Sequence, residues 1–284
     1  MESWHQASSA LQSEDFEGAL TALENAIARA QDSGNDELVR RLHGGRLAVR
    51  MALGEKVSVS EARELLGAAQ TLATTTVVAY QLGRIFELRH EHKKALFYAR
   101  MALTAAESAA RPRWLAVAHN LVGNVLIAQS FFDEAIQHYE TALASDHCTP
   151  LEHAQACDNL AFALTAIGEL DRARPYFAEA LGVLRFTEGP ARLSVELDLA
   201  LFHLQSNRAA QSIRYADAAL KRSNQLQDPR NRANALLLLT ECAKATRNDF
   251  LLRRCLSELT DIYDGEFAAA LSTFDVLELV NLKA

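Results

Sequence analysis

Between residues 113 and 146 the apolar positions fall into two stripes of helical period. Leu115, Ala118, Val122, Val125 and Leu126 recur at three- and four-residue steps, which is one face of a helix. Gln129 and Ser130 interrupt the pattern, and Phe132, Ala135, Ile136, Tyr139 and Leu143 form a second stripe. Asp133 and Glu134 fall in the first turn of the second helix, where its dipole favours negative charge. The pattern predicts helix, short turn, helix, and then a longer loop.

The same phrase returns along the chain. Second helices open as Glu17-Gly18-Ala19-Leu20, His92-Lys93-Lys94-Ala95-Leu96, Asp133-Glu134-Ala135-Ile136 and Asp171-Arg172-Ala173-Arg174. Each carries an alanine at the same point (Ala19, Ala95, Ala135, Ala173) and another seven residues later (Ala26, Ala102, Ala142, Ala180). Helices that cross closely need small residues at the contact. A bulkier residue lies between the alanines, Leu23, Tyr98, Tyr139 or Phe177, and can fill the space between units.

Prolines mark the boundaries. Pro112, Pro150, Pro190 and Pro229 are spaced by 38, 40 and 39 residues. Proline lacks the amide hydrogen and clashes with the preceding turn, so an even series of prolines is an even series of helix boundaries. Such regularity indicates a repeat array. Pro175 departs from the series and is expected in the first turn or so of a second helix, where the missing hydrogen costs little.

This pattern resembles the tetratricopeptide repeat family, in its long-period branch with the kinesin light chains and peptide receptors. Leu82-Gly83 with Ala95 and Ala102 carries the resemblance, as do Val122-Gly123 with Ala135, Tyr139 and Ala142, and Leu160-Ala161 with Ala173, Phe177 and Ala180. Leu199-Ala200 fits more weakly, because Ser212 replaces the first alanine. The resemblance implies an all-α, right-handed α-α superhelical solenoid of about seven helix pairs in a single domain over residues 1–284. Its repeats would span 1–33, 36–73, 76–110, 113–147, 150–187, 190–226 and 230–263. Residues 36–73 fit least: the turn from Gly54 to Val59 is long, and His43-Gly44-Gly45 falls inside the first helix. Residues 230–263 put Arg253 where a small residue belongs. A last amphipathic helix within 266–282, with Phe267, Leu271, Phe274, Leu277 and Val280 on one side, would cap the array or detach to bind a partner. That makes about fifteen helices.

Composition narrows the function. Only 12 glycines and 5 prolines in 284 residues disfavour a loop-rich all-β fold, and a net charge of −7 does not attract nucleic acid or acidic membranes. Residues 207–256 are an exception, with ten Arg or Lys against four Asp or Glu, but no aromatic platform accompanies them. This is exposed helix surface or a site for an acidic partner. Cys148, Cys157, Cys242 and Cys255 lack CxxC spacing and occupy small apolar helix positions, as reduced thiols do. The first fifteen residues carry no apolar leader, and no stretch is long enough to span a membrane. A cytoplasmic chain is expected.

Chemistry is sparse. His147, Cys148, His153 and Cys157 cluster but match no metal spacing, and Cys157 reads as packing. His90-Glu91-His92 is not an HExxH motif. No glycine-rich phosphate loop and no nucleophile–base set appears, so neither an enzyme nor a cofactor or metal is expected.

The resemblance implies instead that first helices line a concave groove. The side chains mapped into it are Tyr80, Gln81, Arg84, Glu87, Asn120, Asn124, Gln155, Asp158, Asn159, Thr165, Asp198 and Gln205. An asparagine amide both donates and accepts, and can hold a peptide bond's N–H and C=O together. Asn120, Asn124 and Asn159 would clamp an extended peptide, or they are solvated groove groups; Phe162 stands where the next asparagine belongs. Replacing Asn124 and Asn159 by alanine is expected to weaken binding and leave the thermal midpoint nearly unchanged. The function implied is a non-enzymatic module that binds a peptide segment of an unidentified partner protein. A ligand-responsive regulator and a scaffold assembling through its end repeats are the alternatives, and the oligomeric state cannot be read.

Overall fold

Each of the four evenly spaced prolines is the first residue of a helix. A computed structural model describes residues 9–11 and 13–262; the expected terminal helix within 266–282 lies outside them. Among the described residues the chain runs through thirteen bounded helices and no strand. They form two compact units that meet at Ala156 and Cys157 along the sequence.

The first unit contains α1 (Phe16–Asp32), α2 (Asp36–Ala52), α3 (Val59–Gly67), α4 (Leu72–Leu88), α5 (His92–Ser108), α6 (Pro112–Ile127) and α7 (Phe132–Leu143), and the start of α8 (Pro150–Ala166). Helix α4 packs on α5, α5 on α6 and α6 on α7, while α4 also touches α6. Consecutive first helices are therefore neighbours, as a stack of helix hairpins requires.

Small residues set these approaches. Ala95, Ala99, Ala102 and Ala106 form the buried stripe of α5. A methyl group on Gly83 would lie 2.9 Å from Leu121 and 3.3 Å from the backbone nitrogen of Ala99. Gly44 explains the unusual glycine pair in α2, since its Cβ would come within 3.1 Å of both Val77 and Val78 on α4. The carboxylate of Glu37, on α2, accepts from the Thr71 N–H at 2.9 Å and the Thr71 hydroxyl at 2.7 Å, capping α4. Burial raises its pKa, but the bonds from Thr71, Thr74, Arg40 and Gln70 outweigh this and bring it down to about 2.

The second unit continues from Cys157 with α9 (Leu170–Val183), α10 (Pro190–Gln205), α11 (Ala209–Gln225), α12 (Pro229–Ala245) and α13 (Asp249–Thr260). Its core is aliphatic, built on Leu193, Leu197, Leu236 and Leu238. Ser212 takes the alanine position at no polar cost: its hydroxyl donates to the Ala200 carbonyl at 2.6 Å and accepts from the Cys242 thiol at 3.0 Å. Burial raises the Cys242 and Cys255 pKa values, the latter to about 11, keeping both thiols protonated as packing groups.

Two expectations need correction. Pro175 sits at the sixth residue of α9, past the first turn; it is exposed there, so water can satisfy the carbonyl it leaves unbonded. Arg253 does not occupy the small-residue contact, because it is exposed, and Leu251, Cys255 and Leu259 form the buried face of α13.

One turn recurs within the hairpins. His90, Ser130, Asn207 and Arg247 all have positive φ, as does Gly168. In each case the following amide reaches back to close a wide turn, as Glu91 N–H does to Phe86 C=O and Phe131 N–H to Leu126 C=O, both at about 2.9–3.0 Å. A side chain in this left-handed region costs roughly 1 kcal/mol, and glycine avoids it. His90→Gly is therefore expected to stabilise the chain by about 1 kcal/mol in urea unfolding; a loss of stability would show that the His90 ring contributes more than its strain.

Candidate functional site

In the first unit, α4 and α6 bring together residues 34 apart in sequence. Tyr80 meets Trp114 edge to face, with ring centroids 5.9 Å apart and planes at 74°. One turn further along α4, Arg84 Nε lies 3.0 Å from Glu87 Oε2. Burial disfavours the Arg84 charge, but Glu87 and the Tyr80 hydroxyl outweigh it and hold its pKa above the ordinary arginine value. Burial likewise raises the Tyr80 pKa, so this ring presents a neutral hydroxyl. Arg84 keeps 41 % of its side chain exposed, whereas Glu87 is almost enclosed.

Asn120 and Asn124 follow on α6, both half-buried. Asn124 has a structural duty: its Oδ1 accepts a 2.9 Å hydrogen bond from the hydroxyl of Tyr139, which is fully buried on α7. Replacing Asn124 would take this bond away from a buried hydroxyl, at a cost of about 1–3 kcal/mol. The expectation that both asparagines could be removed without touching the thermal midpoint is thus corrected. Gln81 is also corrected as a groove group, since it is buried. Gln155, on α8, is exposed.

The residues expected from the second unit are mostly enclosed. Asp158 accepts from the Ser194 hydroxyl at 2.9 Å and is buried, as are Asn159 and Asp198. The Thr165 hydroxyl donates to the Ala161 carbonyl at 2.7 Å within its own helix. Of this set only Gln205 is exposed; Asp158, Asn159, Thr165 and Asp198 are corrected from open groove positions to buried ones. Their polarity marked them as surface, but first helices in this chain are covered on more than one side. Beside them, burial, followed by the Glu179 carboxylate, raises the Cys157 pKa to about 12.

No family model matches the chain, and no curated protein matches it in sequence. Solved structures do match in fold. A tetratricopeptide repeat protein from Parabacteroides merdae superposes with a TM-score of 0.55 at 14% identity, covering 95% of this chain and 96% of that one. The fold is that of the tetratricopeptide repeat. PilW, a type IV pilus biogenesis factor, gives a TM-score of 0.59 at 18% identity over 83% of this chain and 98% of its own. The apo form of the quorum sensor NprR from B. thuringiensis gives 0.58 at 14% identity over 98% of this chain and 87% of its own. Among the described residues no helix of this chain is long and apolar enough to cross a membrane.

The repeat also holds a pair that the spacing of residues does not reveal. His119 on α6 and His138 on α7 place their Nδ1 atoms 2.8 Å apart, so one donates and the other accepts. Burial, then the neighbouring ring, lowers the His119 pKa to about 4; burial and Arg100 of α5 lower that of His138, against the opposing pull of Glu134. Folded rings that refuse protons make stability fall as the unfolded chain takes them up. The contribution is full above about pH 6.5 and lost as pH falls towards 4. After allowance for solvent at the half-exposed rings the loss is about 2 kcal/mol. His119→Gln is expected to flatten that slope in urea unfolding between pH 7.5 and 4.5; an unchanged slope would remove the pair from the pH response.

Proposed function

We propose that the chain is a binding module, not a catalyst, and that the face of the first unit carrying Tyr80, Arg84, Trp114 and Asn120 holds an extended peptide segment of a partner protein. The observation that carries this reading is pre-organisation on two neighbouring first helices. Tyr80 is braced against Trp114 and Arg84 against Glu87. Side chains already fixed lose less freedom when a peptide binds. An aromatic edge, a half-exposed guanidinium and an amide suit a peptide with an apolar side chain and exposed carbonyls. The fold alone does not settle the role, since a pilus biogenesis factor and a quorum sensor share it.

The test uses peptides selected from a random library on the whole chain. Arg84→Lys with Asn120→Ala, which keeps a positive charge beside the enclosed Glu87, is expected to weaken the selected peptides at least tenfold, about 1.4 kcal/mol, while the thermal midpoint moves by no more than about 2 °C. Asn120 replaces Asn124 in this design because Asn124 holds Tyr139. Unchanged affinity in the double variant sinks the assignment.

The resemblance to the apo quorum sensor favours a second reading, a regulator that rearranges around a small ligand. X-ray scattering with and without a selected peptide separates the two: a static binding module keeps its radius of gyration, and a regulator contracts.

A further inference from the structure

Helix α5 is apolar on two sides. One stripe, Ala95, Ala99, Ala102 and Ala106, is buried. The other, Leu96, Phe97 and Met101, is open to a groove of about 700 Å³ that runs along α5 from Lys93 to Ser108 and is bounded by Leu72 of α4. Phe97 is 60% exposed and Leu72 45%. A side chain as large as phenylalanine left this open along an otherwise alternating helix marks an interaction surface. Its charge is one-sided. Lys93 and Arg100 lie on the groove, both exposed, and among the described residues neither has an ion-pair partner. The neighbouring Lys94, by contrast, is paired with Glu91.

We infer that this groove docks an acidic amphipathic helix of a partner protein. The lining positions of α5 extend over sixteen residues, a stripe about 22 Å long, which is about four turns of helix. Lys93 and Arg100 are seven residues apart, about 10.5 Å along the axis, so the occupant should carry carboxylates two turns apart beside its apolar side. Pairing of this face with a second copy would oppose like charges, which favours a foreign partner. The surface is separate from the Tyr80–Asn120 face and does not depend on it.

The probe is a fluorescein-labelled helical peptide of about sixteen residues, with leucines along one side and two glutamates seven apart. Anisotropy with the whole chain is expected to show saturable binding. Phe97→Asp, and separately Lys93→Glu with Arg100→Glu, should each weaken it at least tenfold, with the circular dichroism and thermal midpoint unchanged because these residues are exposed. A peptide with lysines in place of the glutamates should bind the charge-reversed variant and not the wild type. Absence of saturable binding, or equal affinity for all variants, overturns the proposal. So does a doubled mass in light scattering that Phe97→Asp abolishes, since the face would then join copies of this chain.

Discussion

Replacing Gly123 by valine is expected to destabilise the chain by about 3 kcal/mol, measured by urea unfolding. A Cβ at this position would lie 2.5 Å from Cε1 of Tyr139, 2.8 Å from Cζ and 2.9 Å from Cδ1. The ring has nowhere to go, because it is fully buried and its hydroxyl is bonded to Asn124. Relieving the clash breaks that bond and leaves Asn124 and Tyr139 mismatched. Any gain in helix propensity over glycine, well under 1 kcal/mol for valine, is too small to compensate. Gly182, in α9, is the matched control: a methyl group there would meet no atom within 4 Å. Gly182→Ala should therefore be neutral or stabilising by up to about 1 kcal/mol. Equal effects at the two positions would show that crowding at Tyr139 does not set the α6–α7 approach.

Glu196→Ala is expected to cost about 3–4 kcal/mol. Glu196 is 4% exposed on α10, and its carboxylate accepts from Arg192 Nε at 2.9 Å and from Arg222 Nε and Nη2 at 2.9 and 3.1 Å. Removing it leaves Arg222, 11% exposed on α11, with the exposed Glu188 as its one ion-pair partner among the described residues. The loss comes from an uncompensated buried charge rather than from the net worth of the pair. The companion variant Glu196→Leu with Arg222→Met should therefore recover most of the stability, since Arg192 can turn to water. If the companion is as unstable as Glu196→Ala, the ion pair itself, and not the stranded charge, carries the energy.

The helix boundaries were legible because they rest on local chemistry. Pro112, Pro150, Pro190 and Pro229 each open a helix, and the alanine pairs Ala95 and Ala102, Ala135 and Ala142, and Ala173 and Ala180 are fully buried, while in the first pair Ala19 is buried and Ala26 only partly. The turns within the hairpins were harder to see. Among the described residues only three of the ten left-handed positions are glycines, Gly34, Gly54 and Gly168; His90, Ser130, Asn207 and Arg247 are among the others, where the tertiary stack imposes a conformation the residue does not prefer. The register of α13 differs from the repeat spacing for a related reason: the spacing puts Arg253 at the contact, while burial follows Leu251, Cys255 and Leu259.

The candidate site was read in part. Tyr80 and Asn124 lie on first helices, but each meets a partner from another element that periodicity within its own helix does not show: Trp114 for Tyr80 and Tyr139 for Asn124. Residue polarity was a poor guide to exposure in α8 and α10, where Asp158, Asn159 and Asp198 are enclosed. Periodicity within one helix cannot count the neighbours that cover it. The same limit hid the His119–His138 contact, nineteen residues apart, and the second apolar stripe of α5, which in sequence looks like ordinary core.

The most direct measurement of the central claim is a nuclear magnetic resonance titration of the deuterated, ¹⁵N-labelled chain with a library-selected peptide. The largest shifts are expected at the Trp114 indole, the Arg84 Nε–H and the Asn120 side-chain amide, with saturation at the same concentration for all three. Saturable shifts that leave these groups untouched and fall elsewhere in the chain would contradict it.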